Sequence, residues 1–149
     1  MYFFAYGTLQ REIGIGFFES DEWAQYLTTI SKAKLKGDLV HLRNDAYSSD
    51  YPGAVNVGTA NNEIYGTLYS VNEVDAFLKA ADRNERFDPS NVRDSYYIRQ
   101  EAPVERLDTG EFVMATLYVL NRDSAYYNSG HIKEIGPIAL GDWLSYIKR

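Results

Sequence analysis

The chain has 149 residues, with 21 Asp and Glu against 15 Lys and Arg, a formal net charge of −6 and no cysteine. That balance leaves no basic footprint for nucleic acid, and the lack of cysteine excludes a disulfide framework, a thiolate nucleophile and a cysteine metal site. No apolar run approaches a membrane span and no basic segment with an apolar core opens the chain, so the expectation is one domain over residues 1–149, off the membrane and compatible with a reducing cytoplasm.

The first predicted element is a short apolar strand, Tyr2 to Ala5, which runs into a turn at Gly7. Glycine there lets the backbone bend sharply or approach a ligand closely. Thr8 and Leu9 follow with consecutive backbone N–H groups, a pattern that serves an anion nest or an oxyanion hole and equally a plain strand-to-loop turn. Gly14 and Gly16 make no phosphate loop, because no lysine follows at the required spacing. A short helix is expected over residues 19–27.

Residues 32–42 alternate in part, with Ala33, Leu35, Gly37, Leu39 and His41 on one side, and predict a strand whose Lys32, Lys34 and Lys36 form a solvated face. A short strand is expected over residues 54–57 and a longer one over 63–71. From Val74 the apolar residues fall at Val74, Phe77, Leu78 and Ala81, one face of a helix that Asn72 can cap. The next position on that stripe is Glu85. A carboxylate at a helix C-terminus, beside apolar neighbours, is held toward its neutral form, which suits a general acid/base near neutral pH. Fraying after Asn84, with Glu85 pairing to Arg83 or Arg86, would instead make it a surface residue.

Residues 87–94 read as a loop built on Asp88-Pro89-Ser90-Asn91. Strands over 96–107 and 111–121 flank Asp108-Thr109-Gly110, a hairpin signal, and a last short helix covers 141–147. The 13 tyrosines are mostly explained by strand propensity. His41 and His131 share no ligand spacing, so no metal site is expected, and no serine sits in a nucleophile elbow. Many strands with one clear central helix make an α+β domain on a small barrel.

Taken together, Tyr6-Gly7-Thr8-Leu9 and Ala81-Asp82-Arg83-Asn84-Glu85 resemble the turn and the glutamate motif of the gamma-glutamylcyclotransferase-like family, which includes the gamma-glutamylamine cyclotransferases. Further matches follow in order: the turn Tyr51-Pro52-Gly53, the strand Ile64-Tyr65-Gly66-Thr67-Leu68-Tyr69, then Tyr96-Tyr97-Ile98-Arg99, Thr116-Leu117-Tyr118-Val119 and Gly141-Asp142-Trp143. The ordered set is more specific than any single motif. Ala81 stands where the family has leucine and Arg86 where it has glycine; both bear on substrate identity more than on fold.

The resemblance implies a small mixed β-barrel with flanking helices and one cavity near the first turn. It implies an intramolecular acyl transfer in which the α-amine of a γ-glutamyl amide attacks its own γ-carbonyl, releasing 5-oxoproline and a free amine. The nucleophile is tethered, so holding the substrate in near-attack geometry matters more than supplying another nucleophile. Glu85 is then the general acid/base. The backbone of Gly7, Thr8 and Leu9 holds the substrate carboxylate or the developing oxyanion, and Tyr6 and Tyr118 shape the pocket. The partner is a small γ-glutamyl compound, and no metal or cofactor is implied. The alternative is a non-catalytic or regulatory member that keeps the cavity for a small carboxylate, with the Arg86 cation holding Glu85 ionised.

Overall fold

The computed structural model describes residues 1–7 and 25–147. Its elements are β1 (Tyr2–Ala5), β2 (Leu27–Lys36), β3 (Asp38–Asn44), β4 (Ser49–Val55), β5 (Glu63–Val71), α1 (Val74–Asn84), β6 (Tyr97–Arg106), β7 (Phe112–Leu120), β8 (Ile132–Pro137) and α2 (Trp143–Ile147). A 3₁₀ turn at Val92–Asp94 lies between α1 and β6. Strands β1, β5, β2, β6 and β7 form a closed barrel, and β4, β3 and β8 form a separate antiparallel sheet.

The barrel is mixed because β1 closes it. β1 pairs antiparallel with β5, Phe4 facing Leu68, and parallel with β7, where Phe3 meets Thr116. A strand with neighbours on both sides and apolar packing above and below reads as a continuous apolar run, which accounts for Phe3-Phe4-Ala5. Its alternation divides the core. Phe3 and Ala5 join a cluster with Tyr69, Phe77, Ala81, Phe87 and Tyr118, whereas Phe4 and Tyr6 join another with Leu35, Ile64, Leu68, Leu117 and Trp143. α1 enters the first cluster through Phe77, Ala80 and Ala81, and the Phe77 ring meets Phe3 edge-on at 5.1 Å. The apolar face of α1 is thereby packed against the first strand.

The strand expected over 32–42 is two strands. The chain leaves the barrel at Gly37, so β2 and β3 belong to different sheets. β2 lies between β5 and β6; Lys32 and Lys36 are exposed, as expected, whereas Lys34 is half-buried and pairs with Glu63 at 2.9 Å and with Glu105 at 3.8 Å. The short strand expected over 54–57 is β4, and the expected Tyr51-Pro52-Gly53 turn lies inside it. Proline is tolerated there because β4 is an edge strand of its sheet. The helix begins behind Glu73, whose φ is +49°, without a side-chain cap, so Asn72 does not cap it. The helix expected over 141–147 spans five residues. The one expected over 19–27 lies outside the described residues except for its end, and Leu27 already belongs to β2. β8 was not anticipated. Among the described residues no helix is long and apolar enough to cross a membrane.

Candidate active site

A cavity of about 370 Å³ opens where β4 of the sheet meets β1, β6 and β7 of the barrel and the end of α1. Tyr6, Gly7, Glu85 and Tyr118 all line it, so the structure brings these four expected site residues together. Thr8 and Leu9 lie outside the described residues.

Gly7 faces Pro52 of β4. A β-carbon built at Gly7 would lie 3.2 Å from Pro52 Cγ and 3.3 Å from its Cδ, and Gly7 is not among the residues with positive φ. Its glycine therefore serves a close approach to a proline ring and not a left-handed turn. Hydrogen bonds fasten the same corner. The Tyr6 hydroxyl donates to the Tyr118 carbonyl at 2.5 Å and accepts from the Ala54 N–H at 3.2 Å. The Tyr97 hydroxyl donates to the Pro52 carbonyl at 2.8 Å.

Seven of the 13 tyrosines line the cavity: Tyr6, Tyr47, Tyr51, Tyr96, Tyr97, Tyr118 and Tyr126. Strand propensity explains fewer of them than expected, because residues far apart in sequence converge when sheet and barrel meet. Their hydroxyls are largely engaged. Those of Tyr51 and Tyr96 share a hydrogen bond at 2.8 Å, and Tyr126 accepts from Asn44 Nδ2 at 2.9 Å. Desolvation raises the pKa of Tyr6, Tyr51, Tyr96, Tyr97 and Tyr118 above the ordinary phenol value, so at neutral pH they are neutral dipoles and not bases.

Glu85 is placed by the way α1 ends. It is the C-cap residue, and its N–H still bonds the Ala81 carbonyl at 2.9 Å. Arg86 follows in the left-handed region with φ +54°. Its N–H reaches the Arg83 carbonyl at 3.3 Å, and the Phe87 N–H reaches the Asp82 carbonyl at 2.8 Å. This pair of bonds is a Schellman motif, whose left-handed position ordinarily belongs to glycine. Among the described residues Glu85 forms no ion pair, and it is the one carboxyl lining the cavity. It keeps some solvent-accessible surface on the cavity side, yet desolvation by the packed atoms around it pushes its pKa up to about 7, against an opposing hydrogen bond from Asn84. The expected lowering by Arg86 is not found; the guanidinium carbon lies 4.1 Å above the centre of the Tyr126 ring.

Beneath the cavity wall lies a buried acid that sequence reading missed. Asp82 accepts the Tyr118 hydroxyl on Oδ1 at 2.6 Å and Arg99 Nη1 on Oδ2 at 2.6 Å. The Arg99 guanidinium also lies 5.2 Å above the Phe87 ring. Asp82 stands three residues before Glu85, on the same side of the helix, and that spacing was the available signal. His41 is engaged outside the cavity, by Asp50 at 2.8 Å and Tyr146 at 2.9 Å. Among the described residues no group of three His, Asp or Glu side chains gathers as a metal site would.

Known structures of the same fold come from several organisms. An AIG2-like protein from Mus musculus is 18% identical with a TM-score of 0.59, over 85% of this chain and 81% of that one. YkqA from Bacillus subtilis is 22% identical with a TM-score of 0.58, over 97% of this chain, which spans only 40% of that longer protein. PH0828 from Pyrococcus horikoshii is 15% identical with a TM-score of 0.54, over 99% and 93% of the two chains. At these identities the likeness establishes the fold. No curated protein matches by sequence. The family model described as gamma-glutamyl cyclotransferase, AIG2-like, matches residues 3–145, and on that match the chain belongs to this family.

Proposed function

We propose that the chain releases 5-oxoproline and a free amine from a γ-glutamyl amide, with Glu85 as the general acid/base. The observation that carries this reading is the one carboxyl that the described residues bring to a tyrosine-lined cavity, set beside the turn after β1. In the reaction the substrate's α-nitrogen forms a bond to the γ-carbonyl carbon, and the amide C–N bond breaks. The α-ammonium sheds two protons and the leaving nitrogen gains two. A carboxyl with a pKa of about 7 is populated in both forms near neutral pH, so one group can take each proton and deliver it.

The remaining residues bind and orient. The neutral phenols make a wall that is polar but uncharged, so the substrate folds on itself without a competing nucleophile nearby. The Gly7 backbone, with Thr8 and Leu9 assigned from the sequence alone, holds the substrate carboxylate or the oxyanion. Tyr6 and Tyr118 shape the glutamyl end.

Incubation with γ-glutamyl amides and detection of 5-oxoproline tests the reading. Glu85→Gln keeps shape and removes proton exchange, so kcat should fall roughly 10²–10⁴-fold. In the parent, kcat/KM should fall on the acid side of about pH 7 as Glu85 takes up its proton. Unchanged kcat in folded Glu85→Gln overturns the assignment, and no 5-oxoproline from any γ-glutamyl amide leaves a non-catalytic carboxylate-binding protein.

A further inference from the structure

We propose that Arg86 is a specificity determinant that receives a carboxylate carried on the leaving-amine side of the substrate. The inference rests on the cyclotransferase reading and names the substrate class within it: γ-glutamyl conjugates of amino acids, over those of neutral or cationic amines.

Three observations converge on Arg86. It and Glu85 are the only charged side chains lining the cavity among the described residues, and Arg86 is the cation of the two. Its guanidinium is oriented by a braced aromatic. The Tyr126 ring beneath it is held through its hydroxyl by Asn44 and packs against Tyr96 with ring centres 4.7 Å apart. Face-on stacking leaves the in-plane N–H donors at the guanidinium edge, the fork that fits a carboxylate. Among the described residues Arg86 makes no ion pair that would consume that fork. Finally, Arg86 occupies a left-handed backbone position that suits glycine. A side chain kept at such a position, on a cavity wall, points to a use for it.

Position in the cavity selects the leaving-amine side. Of the lining, Phe3, Phe4, Tyr6 and Tyr118 are buried, whereas Arg86 and Tyr47 are exposed to solvent. A glutamyl group enclosed beside Gly7 and Glu85 directs its amine substituent outward, past Arg86.

The test compares γ-glutamylglycine, γ-glutamylmethylamide and the γ-glutamyl conjugate of 1,4-diaminobutane in the parent, Arg86→Gln, Arg86→Lys and Arg86→Gly. The parent should favour the glycine conjugate over the methylamide by about fivefold or more in kcat/KM, as a partly exposed ion pair allows, and disfavour the diamine conjugate. Arg86→Gln should remove the preference, mainly through KM, and Arg86→Lys should restore part of it. Arg86→Gly fits the backbone without strain, so it controls for misfolding. An equal preference in parent and Arg86→Gln overturns the inference. So does an equal loss on all three substrates, which would place Arg86 on the shared glutamyl carboxylate. Calorimetric titration of the same compounds separates the two readings. A binding preference that Arg86→Gln abolishes, without any 5-oxoproline, upholds Arg86 and refutes catalysis; 5-oxoproline without a preference does the reverse, and no binding with no turnover refutes both.

Discussion

Replacing Glu85 by glutamine should make the protein more stable above neutral pH while disabling it. The Glu85 carboxyl rises from an ordinary 4.5 to about 7 in the folded state, because burial penalises its charged form. Between those two pH values the folded protein keeps a proton that the unfolded chain has released. Each pH unit then costs the folded state about 1.4 kcal/mol. Over the interval this comes to about 3–4 kcal/mol, and the residual exposure of Glu85 toward the cavity reduces it to about 2 kcal/mol. The sign is that of a raised acid: the protein is unpenalised below about pH 4.5 and carries the full cost above about pH 7. The glutamine side chain of Glu85→Gln never ionises, so the variant escapes the cost. Paired thermal unfolding of parent and variant at pH 4.5 and pH 8 isolates this group from every other titration. At this chain length about 2 kcal/mol corresponds to roughly 4–8 °C in Tm, gained by the variant at pH 8 and largely absent at pH 4.5. A Tm difference that is the same at both pH values, or that favours the parent at pH 8, would refute the account of Glu85 as a desolvated carboxyl. It would also remove the physical basis for its proton chemistry.

What the sequence made legible followed from local periodicity. β5 is bounded as expected at Glu63 and Val71, with Gly66 to Tyr69 buried in succession because both of its faces are covered. The β6–β7 hairpin turns at Asp108-Thr109-Gly110, where Gly110 takes φ +75°. Glu85 was visible because the stripe through Val74, Phe77, Leu78 and Ala81 continues onto it. What stayed hidden depends on distant pairings. Nothing in the run from Lys32 to Leu42 announces that Gly37 passes from one sheet to another, since both halves are strands. β8 lies on the surface with scarcely a buried position, so it carries no alternation to detect. The tyrosine wall is assembled from β1, β4, β6, β7 and the segment around Tyr126, and no spacing within one element reveals it. Arg86 showed as a departure from the family's glycine, but only the backbone of the helix end shows that it stands in a left-handed conformation.

The Asp82 cluster should couple stability to the cavity: Asp82→Ala strands Arg99 and Tyr118 at a mostly buried site and should cost about 2–3 kcal/mol by denaturant titration, against about 1–2 kcal/mol for Tyr118→Phe. At position 86 the usual order of alanine and glycine should invert, with Arg86→Gly about 1 kcal/mol more stable than Arg86→Ala, because both lose the Tyr126 contact and only glycine relieves the left-handed backbone. Gly7 offers the sharpest test of what this corner requires. Its φ is not positive, so among the described residues alanine there meets only the Pro52 ring, which must give by a few tenths of an ångström. Gly7→Ala should therefore cost about 1 kcal/mol, and Gly7→Val more, since it drives further carbons into the same ring or the cavity. Pro52→Ala removes the two ring atoms involved, and in that background Gly7→Ala should cost little. The double-mutant cycle reads the coupling directly. An undiminished cost in the Pro52→Ala background would mean that Gly7 is not needed for Pro52. If kcat/KM nevertheless falls with Gly7→Ala in both backgrounds while the unfolding midpoint holds, the glycine serves the ligand and not the fold.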